Sequence, residues 1–233
     1  MKKKRGHERE HEKGKSIRHI IFGAEDGLIS TLGFLSGVTG AHLSTLTIAI
    51  VGIAEIFAAA LSMGIGTYLS SKSQTEVLQR NIDVEKSHLE RSPVRERKEL
   101  EEMYKKKGFK GKELEKIVNK LMSNKKIALN EMMTSELGII PGKGENPIRS
   151  AFVMFGTFMI LAMIPFTPYL LFSREKAIAI SVIATVSALF CVGALKTRLT
   201  RKNWFTSGLE MLIFGVCAAF VTYYIGQFIS SLY

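Results

Sequence analysis

Charged side chains are absent from long stretches of this sequence, although 23% of its 233 residues are charged. Asp, Glu, Lys and Arg are all missing from residues 27–54, 151–173, 177–195 and 211–233. A helix needs about 20 mostly apolar residues to cross a bilayer, and a soluble helix rarely stays uncharged on every face for that length. The missing charges therefore argue against a water-soluble enzyme and indicate a membrane protein.

Cysteine is also scarce, and its scarcity excludes two kinds of site. Cys191 and Cys217 are the only two, and both lie in apolar segments, so the sequence offers neither a disulfide framework nor a CxxC metal site. We expect no prosthetic group. The basic N-terminus is followed by a charged stretch and then by an apolar run with two carboxylates, which is unlike a cleavable signal peptide.

The apolar segments predict an all-α fold with five transmembrane helices and a cytosolic helical insert between the second and the third. We place the membrane helices at residues 18–40, 44–70, 149–172, 177–196 and 206–231. The predicted domains are a basic cytosolic tail at 1–17, membrane helices 1 and 2 at 18–70, a cytosolic metal-binding domain at 71–147 and membrane helices 3 to 5 at 148–233. Pro165 and Pro168 lack a backbone donor and are expected to break or kink the third membrane helix.

Basic residues lie mainly on one side of these predicted spans. The tail through Arg18 has eight Lys or Arg and residues 72–143 have seventeen, whereas the opposite loops offer only Arg174 and Lys176. The positive-inside rule then places the N-terminus and the insert in the cytosol and the C-terminus outside. The net charge of +11 is read as a topology signal and not as a nucleic-acid footprint, because the basic residues alternate with carboxylates and lack an aromatic platform.

The insert itself reads as several helices. Because no helix breaker lies between Thr67 and Ser92, the second membrane helix is expected to continue straight into the insert. Ser92-Pro93 can open a further helix, which Gly108 would end. Helical patterns follow at 114–122 and from about Lys125 to Leu137.

Three carboxylates fall inside the first two predicted membrane helices. Glu25 and Asp26 lie in the first helix and Glu55 lies deeper in the second. Ionisable groups in a membrane segment are costly unless paired or hydrated, so they mark an ion or proton path by default. Glu25 and Asp26 could instead reach the headgroup boundary. Met63, two turns beyond Glu55, lies roughly on the same side, although a lone methionine is usually packing filler.

Small residues in the first helix indicate close helix packing. Gly23 with Gly27, and Gly33 with Gly37, are spaced four apart, so each pair lies on one face and lets another backbone approach. This pattern favours a tight helix pair or a homodimer seam and does not choose between them.

Potential metal ligands recur at helical spacing in the insert. Each pair alone is typical of a solvated face, but together they would bring oxygens, a nitrogen and thioethers to one cleft, a mixture suited to a borderline divalent metal such as Fe²⁺. Carboxylates clustered without an ion would repel each other. The candidate ligands are Glu85, His88, Glu96, Glu99, Met132, Met133 and Glu136.

Several of these segments occur together in one known family. They include Asp26-Gly27-Leu28-Ile29-Ser30, Glu55 with Leu61-Ser62-Met63, the spacing of Pro93, Glu96 and Glu99, and Glu131-Met132-Met133-Thr134-Ser135-Glu136. From about Ile20 onward the chain resembles the vacuolar iron transporter family.

The resemblance implies a homodimeric five-helix antiporter that exchanges cytosolic Fe²⁺, and also Mn²⁺ or other divalent metals, for protons. It assigns Asp26, Glu55 and Met63 to the translocation site, and it assigns Glu85, Glu96, Glu99, Met132, Met133 and Glu136 to a cytosolic metal-binding domain. Two positions depart from the family. His88 stands where a second glutamate is common, which should make metal loading more pH-sensitive. Thr67 replaces a common glutamate, so one acid is missing.

Two other functions stay open at this point. Glu85 and His88 have the spacing found in ferritin-like di-iron sites, which would suit a membrane-anchored ferroxidase. A membrane-anchored metal sensor could use the same Glu/His/Met cluster without transport. A prokaryotic cell membrane is favoured over a vacuolar one, because the chain carries no targeting extension.

Overall fold

The computed structural model describes residues 2–135 and 145–232, with side chains from residue 17 onward except that of Leu199. This part of the chain is helical and contains no strand, which confirms the all-α class. Its helices are α1 (Lys2–Gly40), α2 (Thr45–Arg91), α3 (Pro93–Lys106), α4 (Gly111–Met122), α5 (Lys125–Ser135), α6 (Pro147–Leu171), α7 (Arg174–Thr200) and α8 (Trp204–Ser230).

The chain divides into two compact units. The first contains Met1–Leu69 and Pro147–Tyr233, and the second contains Ser70–Asn146. We call them the bundle and the insert. Helix α2 begins in the bundle and continues into the insert without interruption, as its lack of breakers predicts. Its 47 residues correspond to about 70 Å of helix.

Four helices of the described chain are long and apolar enough to cross a membrane, namely α2, α6, α7 and α8. Helix α1 is not among them. It carries Glu25 and Asp26 together with many Gly, Ser and Thr residues, which lower its hydropathy. Because α1 packs against α6, α7 and α8, and Leu28, Leu32 and Leu35 are fully buried, its surroundings are protein on several sides. Four apolar spans are therefore established, and the fifth crossing stays a prediction.

Glycines of α1 bring two other helices close. A methyl group on Gly27 would lie 2.8 Å from the carbonyl oxygen of Phe158 in α6. On another part of α1, a methyl group on Gly37 would lie 3.2 Å from the carbonyl oxygen of Thr222 in α8. Glycines of α1 thus pack against other helices of the same chain.

The two ends of the bundle can be distinguished by its connections. The α1–α2 turn and the α6–α7 turn lie at one end, which we call the far end. Residues Leu69 and Pro147 lie at the other, the near end. Helix α6 runs parallel to α1, because Gly23 faces Met154 and Gly27 faces Phe158. Helix α6 also continues through Pro165 and Pro168 to Leu171, so no break occurs at the prolines.

The insert has its own apolar core. Leu89 of α2 packs there with Leu100 of α3, Val118 of α4 and Met132 of α5. As the sequence predicts, α3 begins at Pro93, and Gly108 follows its end with a φ of 99° that favours glycine. The predicted helix from Lys125 is described as far as Ser135, and its expected end at Leu137 lies outside the described residues.

Replacing Gly27 by alanine should destabilise the bundle by about 1–3 kcal/mol, because the new methyl group would overlap the α6 backbone, which cannot move aside cheaply. Thermal unfolding of the purified protein measures this. Gly156→Ala on α6 is the matched control, since no atom lies within 4 Å of its added methyl group. Equal melting temperatures for the two variants would contradict the close α1–α6 packing.

Candidate metal and proton sites

The neighbouring acids of α1 have different surroundings. Glu25 Oε1 lies 3.6 Å from Nζ of Lys196 in α7, so this carboxylate has a partner of opposite charge within the bundle. Asp26 is the next residue along the helix and therefore points about 100° away. Its backbone carbonyl accepts a 2.5 Å hydrogen bond from Ser30 Oγ. The ion pair gives Glu25 a structural role and leaves Asp26 as the candidate ion ligand on α1.

Glu55 of α2 is the second candidate ligand in the bundle. It is half-buried. One carboxylate oxygen, Oε2, is fully shielded and has no hydrogen-bond partner within the described chain. Removing a carboxylate oxygen from water without a partner is unfavourable. A proton or a metal cation would compensate for this cost.

Met63 packs on the apolar core of the bundle. It contacts the cluster formed by Ile56 and Ala60 of α2 with Phe158 of α6, and it remains half-buried. Two turns separate it from Glu55, and Ala59 lies between them on the same side of α2. The structure places Met63 at a helix interface.

Two glutamates of the insert are buried beside its apolar core. Glu85 lies one turn before Leu89 on α2, and Glu96 lies one turn before Leu100 on α3, so each shares a helix face with a core leucine. Their exposed fractions are 7% and 1%. His88 Nδ1 lies 4.0 Å from Glu96 Oε1. The structure thus brings His88 and Glu96 together, as the ligand hypothesis requires.

The remaining predicted ligands of the insert have mixed placements. Glu99 is paired with Arg95 on its own helix, with 2.9 Å between Nε and Oε1. Met132 is fully buried in the insert core, whereas Met133 is equally buried outside that cluster. Glu136 lies outside the described residues. Within the described ranges, no group of three or more His, Cys, Asp or Glu is placed to hold a metal ion.

A polar network that sequence reasoning missed joins α5 to the end of α3. Glu131 Oε1 accepts hydrogen bonds from Ser135 Oγ at 2.7 Å, Tyr104 Oη at 2.9 Å and Lys107 Nζ at 3.2 Å. Lys107 also donates to Ser135 and lies 4.4 Å from the centre of the Tyr104 ring. The network holds the helix that carries Met132 and Met133. Its α3 and α5 members are too far apart in sequence for a helical spacing to reveal it.

The network shifts the ionisation of its members in opposite directions. The Ser135 hydroxyl above all, and then Tyr104 and Lys107, hold the pKa of Glu131 below its ordinary value despite partial burial. Partial burial, followed by the bond to Glu131, raises the pKa of Tyr104 to about 12. Glu131 is therefore a charged acceptor whose oxygen is already occupied, which argues against a role as a metal ligand.

Comparison with known proteins identifies one matching family model and several similar sequences. A protein-family model described as the VIT family matches residues 17–227. The chain is 32% identical to a protein named "Vacuolar iron transporter 1" from Arabidopsis thaliana, over 88% of this chain and 83% of the relative. It is 32% identical to the "Vacuolar iron transporter" of Centaurea cyanus, over 88% and 84%. It is 29% identical to the "Vacuolar iron transporter" of Plasmodium falciparum, over 91% and 81%.

Replacing Glu131 by glutamine should loosen α5. Because the folded state lowers the pKa of Glu131, the carboxylate stabilises the insert at neutral pH, and this contribution is lost as the pH falls through the lowered value. We expect hydrogen exchange in residues 125–135 to become about 5- to 10-fold faster at pH 7, equivalent to about 1 kcal/mol. The difference from the wild type should shrink in acid. Glu115→Gln on α4 is the exposed control, and equal protection in all three proteins would contradict the network.

Proposed function

The chain belongs to the vacuolar iron transporter family, and from this premise we propose that it is an antiporter exchanging a divalent transition metal for protons. The family membership makes it a metal-ion transporter and not an enzyme. The ferroxidase alternative loses its support for that reason. The sensor alternative is disfavoured because a simple anchor has no use for acids inside its membrane helices.

One observation carries the proposal: the shielded Oε2 of Glu55 has no protein partner in the described bundle. A shielded carboxylate in a low-dielectric environment favours binding of a cation, and Asp26 is proposed to act together with Glu55. They can accept a divalent metal or protons, but the two compete for the same oxygens. This competition couples the movement of metal in one direction to the movement of protons in the other.

The metal is proposed to be Fe²⁺, with Mn²⁺ and other divalent transition metals as further substrates. Carboxylates alone would also suit Mg²⁺ and Ca²⁺, which are abundant hard ions. A thioether selects against these ions and favours a softer one, and Met63 lies two turns from Glu55 on the same side of α2. The names of the relatives point to iron as well.

The insert is proposed to collect the metal before it enters the bundle. Glu85 and Glu96 are buried carboxylates beside an apolar core, and His88 adds a borderline nitrogen ligand 4.0 Å from Glu96. Met133 is buried outside the core cluster, so its thioether is a better candidate than that of Met132. Glu99 would have to leave Arg95 to bind a metal. A role for Glu136 stays a prediction.

In the proposed orientation the near end of the bundle and the insert lie in the cytosol, and the far end lies outside. The basic residues of the tail and insert support this placement through the positive-inside rule. It requires α1 as a fifth crossing, so that the C-terminus lies outside. The homodimer and the prokaryotic cell membrane stay predictions, and the relatives are named for the vacuole.

Neutralising either bundle acid should abolish the exchange. In sealed vesicles with a pH dye inside, addition of Fe²⁺, Mn²⁺ or Co²⁺ should cause a proton flux with the wild type. Asp26→Asn and Glu55→Gln should reduce that flux at least 10-fold, because neither amide can carry a proton or neutralise a metal. Met63→Ala should reduce transport of these metals and lower the discrimination against Mg²⁺.

Glu210→Gln is the control, because this acid is exposed on α8. Full metal-driven proton flux in both Asp26→Asn and Glu55→Gln would remove these residues from the path. Metal binding by the wild type without any transport would favour the sensor, and oxygen consumption on addition of Fe²⁺ would favour the ferroxidase.

Substitution of Glu96 by glutamine should affect metal capture and not the exchange step. We expect the metal concentration for half-maximal transport to rise about 10-fold while the maximal flux stays within two-fold. Glu102→Gln on the same helix is the exposed control. An unchanged half-maximal concentration would exclude Glu96 from metal capture.

A further inference from the structure

Several hydroxyls on the bundle helices are bonded to the carbonyl four residues earlier on the same helix. Thr39 donates to Leu35, Thr167 to Met163 and Ser187 to Ile183, at 2.6, 2.6 and 2.8 Å. This is the usual way in which a membrane helix satisfies Ser and Thr. A hydroxyl that is buried and does not follow this pattern therefore needs another partner.

Three buried hydroxyls of the described bundle lack such a partner. Thr31 Oγ1 and Ser36 Oγ on α1 and Thr185 Oγ1 on α7 form no hydrogen bond with any described residue. The exposed fractions of these residues are 0%, 1% and 0%. Buried polar groups without a protein partner are commonly bonded to internal water.

Thr31 and Thr185 lie at the same level of the bundle. Leu28 of α1, Leu189 of α7 and Met211 of α8 form one buried cluster. Helices α1 and α7 run in opposite directions, since Glu25 pairs with Lys196 while Leu28 and Leu189 belong to one cluster. Thr31 on α1 and Thr185 on α7 therefore both lie one turn from this cluster toward the far end. Thr31 shares a helix face with Leu28, and Thr185 shares one with Leu189.

Further polar groups follow toward the far end. One turn beyond Thr185, Ser181 Oγ donates to the carbonyl oxygen of Pro165 at 2.7 Å, and both atoms are buried. Beyond them, Thr39 Oγ1 and Tyr169 Oη are 2.9 Å apart. From Thr31 to Thr39 the rise of α1 is about 12 Å. In the other direction, the cluster of Leu28, Leu189 and Met211 bounds this polar region on the side that faces the near end.

The level of Glu55 can be derived in the same way. A methyl group on Gly52 of α2 would meet Leu35 of α1 at 3.0 Å, so these two positions are neighbours. Because α2 runs antiparallel to α1, Glu55 lies near the level of Leu32, which is next to Thr31. The unpartnered Oε2 of Glu55 is thus at the level at which the unpartnered hydroxyls occur.

We propose that Thr31 and Thr185 line a water-binding compartment between α1 and α7, and that this compartment relays protons from the far end of the bundle to the level of Glu55. In each step an oxygen accepts a proton on one side and releases one on the other, so only O–H bonds change and one proton is transferred. A divalent metal must lose water ligands to enter such a compartment, and neutral hydroxyls carry no negative charge to compensate for that loss. The metal therefore follows a different path. The relay rests on the proposed antiport.

The test replaces the hydroxyls by isosteric methyl groups in the full chain. Thr31→Val, Thr185→Val and the double variant are compared with the wild type in sealed vesicles, and Thr167→Val on α6 is the control because its hydroxyl is bonded within its own helix. We expect the double variant to bind Co²⁺ within two-fold of the wild type and to melt no lower, while its metal-driven proton flux falls at least 10-fold. A flux within two-fold of the wild type would overturn the relay.

A second measurement separates this inference from the proposed function. Radiolytic hydroxyl-radical labelling oxidises side chains that lie next to internal water. Leu28 and Leu189 are 0% exposed to outside solvent, so only internal water could lead to their labelling. Labelling of these leucines in the wild type and its loss in the double variant support the compartment. Unlabelled leucines in the wild type overturn it, whatever the transport result. A wild type that binds metal but shows no proton flux refutes the antiport, even if the leucines are labelled.

Discussion

The interior of a membrane supplies no water to polar side chains, and this constraint determines which residues of the bundle can act. Every polar atom there needs a partner from its own helix, from a neighbouring helix or from a bound species. Thr39 and Ser187 find one within their helix, and Glu25 finds Lys196. The shielded oxygen of Glu55 finds none in the described chain, and this is why we propose a transported cation or proton as its partner.

The packing of α1 makes its polar composition possible. A helix with two adjacent acids would be poorly placed among lipids, but Gly27 allows α6 to approach and Gly37 allows α8 to approach. The apolar side chains that remain exposed belong largely to the four hydrophobic helices, with Phe152 and Phe214 among them. Close backbone packing thus lets a carboxylate-bearing helix lie within the bundle. The insert also buries acids, because Glu85 and Glu96 lie beside a small apolar core.

Features that depend on local sequence were predictable, and features that depend on contacts between distant residues were not. Missing charges located the apolar helices, and the lack of breakers between Thr67 and Ser92 predicted the long α2. Glycine spacing indicated close packing but could not name α6 and α8 as the partners. From sequence alone, Met132 and Met133 have the same predicted role. Adjacent helical residues point about 100° apart, however, and only Met132 of the two belongs to the insert core. The partnership of Glu25 with Lys196 and the hydrogen bonds of Glu131 join residues without any local signal.

Diffraction from crystals of the protein soaked in Co²⁺ or Mn²⁺, recorded at the absorption edge of the metal, tests the central claim most directly. The account predicts an anomalous peak within bonding distance of the Glu55 carboxylate, with Asp26 beside it, at neutral pH. The same peak should weaken in acid, where protons occupy these oxygens. A peak confined to the insert under all conditions, with none in the bundle, would contradict the account.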